Sequence, residues 1–325
     1  MTPLSIDTVS LPTQQHYQEV FPLVYAAAPG SATVETAVAW LADNRTRLLQ
    51  DLVRHGAVLL RNLGLKDAQD FDAAIRAFNL TNFAYGESLS NAVRRNRTER
   101  VFTANEAPSS VSIYLHHEMA QTPIFPSRLF FFCEKPADSG GATPLCRSDI
   151  LLRALERQVP HFIEACEQRG VRYSNVMPEQ EDLESGQGRS WRSTLRAETV
   201  AQAEARLAQL GYEWQWREDH SLRVTSPVLP AIRTLSDGRR VFFNQLIAAF
   251  RGWQDRRNQA DKSISFGDGS AVDTTDMATV IALGDELSFD IPWQQSDLAL
   301  VDNFLVMHGR RPYQGTRTVL ASLVA

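Results

Sequence analysis

An apolar run near the middle of the chain sets the strongest limit on the fold. Residues 128 to 134 are Arg-Leu-Phe-Phe-Phe-Cys-Glu, so five consecutive positions between the charged ends are apolar. Neighbouring side chains of a strand point to opposite faces, and a strand of this composition therefore has to be covered on both. The run predicts a buried strand over 128–134, in a sheet with further layers packed on each side. Cys133 is expected to be a small buried hydrophobe within it.

The other predicted strands are short and scattered, whereas helices are concentrated near the start and in an insertion. Apolar residues recur at helical spacing from Val34 to His55, and Gly56 ends that helix. The distribution favours a single domain over residues 1–325, with a helical N-terminal part over about residues 1–80 and an insertion over about residues 177–226. The predicted fold class is mainly β with helical cladding, as a closed or double-sheet architecture.

Several local elements follow from the same patterns. Ser148 is expected to cap a helix that starts near Asp149. The polar stretch 258–275 is expected to be a surface loop. The other expected elements are helices over 66–78, 149–158, 161–170 and 199–210, and strands over 57–61, 111–115, 171–176, 222–225, 240–245, 298–301 and 318–324.

Composition and charge argue against several kinds of partner and location. The 325 residues carry a formal net charge of −5, and the densest positive run, Arg94 to Arg100, is too short to follow a phosphate backbone. That run is predicted to be a solvated loop, and no nucleic-acid partner is expected. No apolar run is long enough to cross a bilayer, so no membrane partner is expected either. The first residues lack the pattern of a secretory signal and the three cysteines lack paired spacing, which favours a reducing, cytoplasmic location.

Two short segments contain side chains suited to binding a metal. His116 and Glu118 follow a predicted strand, and alternation places them on one face while His117 points to the other. A His-x-Glu triplet alone is weak evidence, because such triplets occur by chance. A third candidate, His308, lies in the C-terminal run that begins at Asp302. Two histidines and one carboxylate that leave coordination positions open form the facial triad of non-haem Fe(II) oxygenases.

Six segments, taken in their order along the chain, resemble those of one enzyme family. The chain resembles the Fe(II)/2-oxoglutarate-dependent dioxygenases of the TauD/TfdA family, from about Ala57 to the C-terminus. Within the family it is most similar to the clavaminate synthase-like branch, which includes the aspartyl hydroxylase of the syringomycin pathway. The segments are 115–119 (Leu-His-His-Glu-Met), 130–134 (Phe-Phe-Phe-Cys-Glu), 140–144 (Gly-Gly-Ala-Thr-Pro), 188–191 (Gly-Arg-Ser-Trp), 243–245 (Phe-Asn-Gln) and 302–310 (Asp-Asn through His-Gly-Arg).

The resemblance implies a double-stranded β-helix, a jelly-roll barrel with the iron at its mouth and with an insertion. It implies that His116, Glu118 and His308 are the catalytic metal ligands, and that Thr143 and Arg317 bind 2-oxoglutarate. The chemistry agrees, because a planar guanidinium can hold a carboxylate through two hydrogen bonds and a hydroxyl can add another. Dioxygen is implied as the other cosubstrate.

Alternatives remain for the residues that bind 2-oxoglutarate. Thr143 follows two glycines and could serve only to shape their turn. Arg310 and Arg311 lie closer to His308 and compete with Arg317 for the carboxylate. We favour Arg317, because it lies on the returning strand and can point back into the barrel.

Substrate contacts are predicted at Arg189, Trp191 and Asn244, each with a structural alternative. Arg189 and Trp191 could instead anchor the insertion, and Asn244 could hold a loop in place. At the metal site, many relatives have aspartate where this chain has Glu118, which supplies the same carboxylate. Halogenases of the group replace the carboxylate with a small residue, so Glu118 favours hydroxylation or a related oxidation.

The function expected from the resemblance is hydroxylation of an unactivated C–H bond, coupled to decarboxylation of 2-oxoglutarate to succinate. The expected substrate is a small molecule, namely an amino acid or an amino-acid-derived intermediate of specialised metabolism, either free or tethered to a carrier protein. Two alternatives are left open. The first is desaturation or ring formation with the same cofactors, and the second is a barrel that binds a metal or small ligand without turnover.

Overall fold

The computed structural model describes residues 4–259 and 262–325. Its helices are α1 (Val34–His55), α2 (Ala68–Ala77), α3 (Ser148–Gln158), α4 (Pro160–Arg169), α5 (Trp191–Leu195), α6 (Val200–Leu210), α7 (Leu246–Gly252) and α8 (Thr274–Glu286), with a 3₁₀ turn at Tyr85–Glu87. Its strands are β1 (Ile6–Thr8), β2 (Gln15–His16), β3 (Val20–Phe21), β4 (Leu23–Ala27), β5 (Ala57–Arg61), β6 (Phe102–Thr103), β7 (Ile113–His116), β8 (Arg128–Lys135), β9 (Ser139–Gly140), β10 (Thr143–Arg147), β11 (Val171–Met177), β12 (Glu213–Trp216), β13 (Leu222–Thr225), β14 (Arg233–Thr234), β15 (Arg240–Val241), β16 (Ile264–Phe266), β17 (Ser288–Ile291), β18 (Leu298–Asp302), β19 (Val306–Arg310), β20 (Tyr313–Gln314) and β21 (Thr318–Val324). The protein is a mixed, sheet-rich structure, as the sequence predicts, but helices cover about as much of the chain as strands do, which is more than helical cladding alone implies.

The larger sheet contains β8, the strand predicted from the apolar run. Its strand order is β1-β4-β5-β18-β8-β21-β6, and only β4 and β5 are parallel neighbours. The side chains of β8 alternate: Phe130 and Phe132 enter one apolar layer, whereas Phe131 and Cys133 enter the other. The prediction of a strand covered on both faces is confirmed.

One face of the larger sheet is covered by the N-terminal helices. Thr33 caps α1, because its hydroxyl accepts from the N–H of Thr36 while the Thr36 hydroxyl accepts from the N–H of Thr33. The helix ends at Gly56, whose φ of 85° is unfavourable for residues with a side chain. Phe71 of α2 stacks on Phe132 of the sheet, with 5.3 Å between ring centroids. Among the described residues, every helix, α1 included, is too short or too polar to span a lipid bilayer.

The smaller sheet, β17-β10-β19-β7, packs on the other side of the larger one. Leu145 of β10 and Val306 of β19 share an apolar layer with Phe131 of the larger sheet. The opposite face is covered by α3, α4, α7 and α8, and Leu115 and Met307 point into that layer. The layers therefore run helices, larger sheet, smaller sheet, helices. Hydrogen bonds among the described residues do not close the two sheets into one barrel, so the jelly-roll barrel stays a prediction.

A third sheet is built partly from the region predicted to be an insertion, which supplies β12 and β13, whereas β11 and β16 lie mostly outside it. Its order is β12-β13-β11-β16, and α5 and α6 pack on it through an apolar cluster that includes Trp191, Leu207 and Val224. β16 lies inside the stretch 258–275, which the sequence predicts to be a loop, and it pairs with β11. Residues 260 and 261 of that stretch lie outside the described residues.

Two local predictions are wrong at their boundaries. Ser148 does not cap α3 but is its first residue, and its hydroxyl donates to the carbonyl of Leu305 (3.1 Å), which ties the helix to the turn before β19. The strand predicted over 240–245 ends at Val241. Three residues later, the side-chain oxygen of Asn244 accepts a hydrogen bond from the N–H of Leu246 (3.0 Å), the residue at which α7 begins.

Candidate active site

Two strands of the smaller sheet bring the predicted histidines together. β7 and β19 pair with His116 opposite His308, and the two ring centroids are 4.3 Å apart. Gly309 permits this close pairing, because a Cβ at its position would lie 2.4 Å from the carbonyl oxygen of Ile113. Glu118 follows two residues after β7. One ligand atom from each of His116, Glu118 and His308 lies within 4.8 Å of the others, and all three side chains are buried.

His117 points away from this cluster. It is fully buried, its ring packs against Phe243 at 4.8 Å between centroids, and its Nδ1–H donates to the carbonyl of Asn303 (2.5 Å). Burial lowers the pKa of His117 to about 3, so the ring is neutral at physiological pH. These positions agree with the alternation predicted for residues 116–118.

The two cluster histidines are oriented for metal binding. The Nδ1–H of His116 donates to the carbonyl of Tyr114 (2.8 Å), which leaves the Nε2 lone pair for a metal. The Nε2 atoms of His116 and His308 lie 3.9 and 3.5 Å from Oε2 of Glu118. Burial, followed by the neighbouring His116, lowers the pKa of His308 to about 4. The Nδ1 of His308 has no hydrogen-bond partner among the described residues, so packing against Phe131 (5.2 Å between centroids) fixes its ring.

Arg94 contributes to this site although the sequence places it in a solvated loop. Its side chain is only 8% exposed, and its Nη2 lies 3.0 and 3.1 Å from the two carboxylate oxygens of Glu118. Burial alone would raise the pKa of Glu118, but the neighbouring Arg94 guanidinium outweighs it and holds that pKa well below the usual carboxyl range. Glu118 is therefore an anion, as a carboxylate that binds a metal has to be. No local pattern distinguishes Arg94 from the exposed arginines that follow it, because Tyr85 and Phe102 are what bury it.

Asn303 fixes the backbone around Glu118 from the turn between β18 and β19. Its side chain accepts from the N–H of Glu118 (2.7 Å) and donates to the carbonyls of Glu118 (3.0 Å) and Pro126 (2.8 Å). Its own carbonyl accepts the hydrogen bond from His117. One fully buried residue thus satisfies polar groups on both sides of the candidate ligand. The Asp-Asn pair belongs to the C-terminal motif, but the sequence does not indicate this role.

We expect Asn303→Ala to weaken both the fold and metal binding. The change leaves the buried N–H and C=O of Glu118 without partners, at about 1–3 kcal/mol for each group. Because the carboxylate loses its backbone anchor, Fe(II) affinity should fall about 10- to 100-fold, as for other residues that hold a metal ligand in place. Urea unfolding and anaerobic Fe(II) titration measure the two effects. As a control, Asn44→Ala on α1 should change neither, and an unaltered iron affinity in Asn303→Ala would refute the anchoring role.

Thr143 and Arg317, the predicted 2-oxoglutarate residues, lie side by side in the cavity that contains the cluster. Nη2 of Arg317 is 3.4 Å from the Thr143 hydroxyl, and its Nε donates to the carbonyl of Gly141 (2.8 Å). The Thr143 hydroxyl also accepts from the indole N–H of Trp293 (3.0 Å). Thr143 is a buried residue of β10, which argues against a role confined to the preceding turn. Burial, followed by the charge of Arg310, lowers the pKa of Arg317 to about 10, so Arg317 remains a cation at neutral pH.

The two competing arginines make other contacts. Arg311 pairs with Asp285 and Asp290 near the surface. Arg310 is buried and donates, at 2.7 to 3.1 Å, to the backbone carbonyls of Asn105, Ala107, Pro108 and Val111. These contacts favour Arg317 over both for binding a carboxylate.

The three predicted substrate contacts lie behind the cavity wall. Arg189 is buried and donates to the backbone carbonyls of three serines. Trp191 belongs to the apolar cluster of the third sheet, and its indole N–H donates to the carbonyl of His220 (3.2 Å). Asn244 is fully buried and donates to the carbonyl of Ala231 (3.2 Å). These contacts favour the structural alternative for each residue.

Besides the candidate ligands and the arginines, the wall of the cavity contains apolar and carboxamide side chains, most of which lie outside the six family segments. Glu118 is the one acidic residue among the described residues that line it. The carboxamides come from different parts of the chain, and they are Asn91, Asn105, Gln121, Gln187 and Gln245.

The fold and the cavity together define a class of protein. Two imidazoles and one carboxylate, buried and with their ligand atoms close together, are the donor set of mononuclear non-haem Fe(II) oxygenases. The residues present therefore fit Fe(II). The guanidinium and hydroxyl of Arg317 and Thr143, in the same cavity, fit a carboxylate cosubstrate.

Comparison with known proteins identifies the family. Residues 19–323 match the sequence profile described as "Taurine catabolism dioxygenase TauD, TfdA family", and the chain belongs to this family. It is 35% identical over 332 residues to a clavaminate synthase-like protein of Arabidopsis thaliana, with 99% of each chain covered. It is 25% identical over 287 residues to the dapdiamide synthesis protein DdaC of Enterobacter agglomerans, with 84% of this chain and 83% of the relative covered.

Solved structures of low sequence identity have a similar fold. PvcB from Pseudomonas aeruginosa gives a TM-score of 0.56 at 13% identity and covers 99% of this chain and 91% of its own. An asparagine oxygenase, in complex with Fe(II), 2S,3S-3-hydroxyasparagine and succinate, gives a TM-score of 0.53 at 12% identity. The match covers 90% of this chain and 83% of the asparagine oxygenase chain. The protein is an Fe(II)- and 2-oxoglutarate-dependent dioxygenase, and the predicted family and cofactors are confirmed.

Proposed function

We propose that this enzyme hydroxylates an aliphatic carbon of an amino acid or an amino-acid-derived small molecule and converts 2-oxoglutarate to succinate. The observation that carries the proposal is that one cavity contains both the three-ligand cluster and the pair formed by Thr143 and Arg317. The names of the clavaminate synthase-like and dapdiamide synthesis relatives, and the hydroxyasparagine in the asparagine oxygenase, support a substrate of this class.

In this proposal His116, Glu118 and His308 hold Fe(II). The bound iron supplies the activation of dioxygen and the oxidation of the C–H bond. The carbonyl of Tyr114 keeps His116 in the tautomer whose Nε2 faces the cluster. Arg94 keeps Glu118 ionised and holds its carboxylate in place.

Arg317 and Thr143 bind the distal carboxylate of 2-oxoglutarate in this proposal. The guanidinium supplies a charge-assisted contact and the hydroxyl supplies a further hydrogen bond. Thr143 is buried and Arg317 is partly buried, so water competes less for these atoms than it would at the surface. A keto acid fixed at one end by this pair has one end left for the metal cluster in the same cavity.

We further propose that the two facing sheets are the two sides of a double-stranded β-helix, within one domain that carries an insertion over about residues 177–226. Their face-to-face packing and the TauD-family match over 19–323 support this architecture. A role in specialised metabolism, with a free or carrier-tethered substrate, completes the proposal, and the name of the dapdiamide synthesis relative supports the biosynthetic part of it. We place the enzyme in the cytoplasm, as the sequence predicts.

Anaerobic titration tests the proposal without knowledge of the substrate. We expect a weak visible charge-transfer band when 2-oxoglutarate is added to the Fe(II)-loaded protein, because the keto acid chelates the metal. Exposure to dioxygen should then release succinate slowly, and faster with a suitable substrate. Omission of Fe(II) is the control and should abolish both signals. Stoichiometric iron without the band would rule out the proposed 2-oxoglutarate site.

A further inference from the structure

We propose that Arg94 binds an anionic group of the substrate and that the substrate has no charged amine in this cavity. The inference rests on the proposed function and narrows its substrate class. The substrate is then a carboxylic acid, and any nitrogen atom that it carries is acylated and uncharged.

Arg94 has donor groups left over after it pairs with Glu118. Both contacts to Glu118 use one nitrogen, Nη2. Its Nε is buried and has no hydrogen-bond partner within residues 4–259 and 262–325. The guanidinium carbon lies 4.9 and 5.3 Å from the ring centroids of Tyr85 and Phe102, and the side chain lines the cavity. A buried guanidinium held in this way has the planar geometry to bind a second carboxylate.

The charge of the loaded cavity also favours an anion. Arg94, Arg310 and Arg317 line it and carry three positive charges, to which Fe(II) adds two. Glu118 and a doubly charged 2-oxoglutarate supply three negative charges, which leaves an excess of two positive charges. A substrate anion reduces this excess, whereas an ammonium group increases it.

An ammonium group would also have no counter-ion of its own. Glu118 is the one acidic residue among the described lining residues, and its carboxylate already faces Arg94 and the two cluster histidines. Placing a charged amine in a buried site without a partner carries a large desolvation cost.

Gln121 supplies the second part of the recognition. The residue is 6% exposed, it lines the same cavity, and its Oε1 has no hydrogen-bond partner among the described residues. A buried carboxamide oxygen of this kind needs an N–H donor. The N–H of an acylated nitrogen supplies that donor without adding a charge.

Four small probes test the inference. N-acetylglycine has a carboxylate and an amide N–H, acetate has the carboxylate alone, N-acetylglycinamide has no charge, and glycine has a charged amine. Calorimetric titration into the anaerobic protein loaded with Fe(II) and 2-oxoglutarate gives the affinity for each. We expect N-acetylglycine to bind about tenfold or more tightly than glycine or N-acetylglycinamide.

Variants assign the preference to the two residues. Arg94→Gln should weaken N-acetylglycine and acetate about tenfold or more, while Arg94→Lys, which keeps the charge, should keep part of the affinity. Gln121→Leu should weaken N-acetylglycine but leave acetate unchanged. Arg95→Gln, at the exposed neighbouring position, is the matched control and should bind all four probes as the unmodified protein does.

The outcomes separate this inference from the proposed function. Absence of the charge-transfer band in the unmodified protein refutes the proposed function itself. If the band forms but the four probes bind equally, or none binds, the inference alone is wrong. It is also wrong if Arg94→Gln retains iron and weakens 2-oxoglutarate rather than N-acetylglycine. If both Arg94 variants lose iron, the affinities of the unmodified protein for the four probes still decide whether the inference is right.

Discussion

Replacing His116, Glu118 or His308 with alanine is expected to abolish Fe(II) binding and turnover. Each side chain supplies one of the three close ligand atoms, and the cluster is buried, so water cannot replace the lost ligand without rearrangement. Removing a residue that only supports a ligand costs about 10- to 100-fold in metal affinity, so loss of a ligand should cost more than about 100-fold. Iron content after anaerobic reconstitution, together with succinate release, measures the effect.

His117→Ala is the matched control, because His117 is adjacent to two of the candidate ligands but faces away from them. We expect iron stoichiometry to be retained. The fold should lose about 2–4 kcal/mol, since the ring that packs on Phe243 and donates to Asn303 is removed. Loss of iron in His117→Ala with retention in His116→Ala would show that the alternation assigned to this strand is wrong.

The elements that the sequence predicts well are those whose pattern is local. The helix Val34–His55 has its cap, its apolar spacing and its terminal glycine within one segment. β8 is apolar on both faces and needs no partner to be recognised. The partners of β8 cannot be found in this way, because Leu298 lies opposite Phe132 although the two are far apart in sequence. The amount of helix is underestimated for a related reason: α8 has apolar residues around much of its surface, and its packing decides its structure.

The same distinction applies to the candidate site. His116, Glu118 and His308 have side chains whose type and order suggest metal chemistry before any contact is known. Arg94 and Gln121 do not, because each acquires its role from residues elsewhere in the chain. Arg94 lies in a run of arginines, and only the positions of Tyr85 and Phe102 show that it is buried. Residue type therefore identifies metal ligands from sequence better than it identifies the residues that support ligands or line the cavity.

Arg317→Leu is expected to weaken 2-oxoglutarate binding strongly while leaving iron binding nearly unchanged. The change removes a cation from a partly buried position beside the Thr143 hydroxyl, and leucine preserves much of the side-chain volume. Loss of one partner of a buried charge-assisted pair costs about 2–5 kcal/mol, which corresponds to roughly 30-fold or more in affinity. The intensity of the charge-transfer band at increasing 2-oxoglutarate and fixed Fe(II) gives this affinity.

The choice of control for Arg317→Leu follows from the contacts of the competing arginines. Arg310→Leu would remove hydrogen bonds to four backbone carbonyls, so it is expected to destabilise the fold and to give an ambiguous effect on binding. Arg311→Leu removes a positive charge directly after β19, next to Arg310, but breaks only contacts near the surface. We expect it to change 2-oxoglutarate affinity less than about twofold, because exposed pairs contribute little and are screened. A larger loss in Arg311→Leu than in Arg317→Leu would mean that Arg317 serves the fold and that the carboxylate of 2-oxoglutarate binds elsewhere.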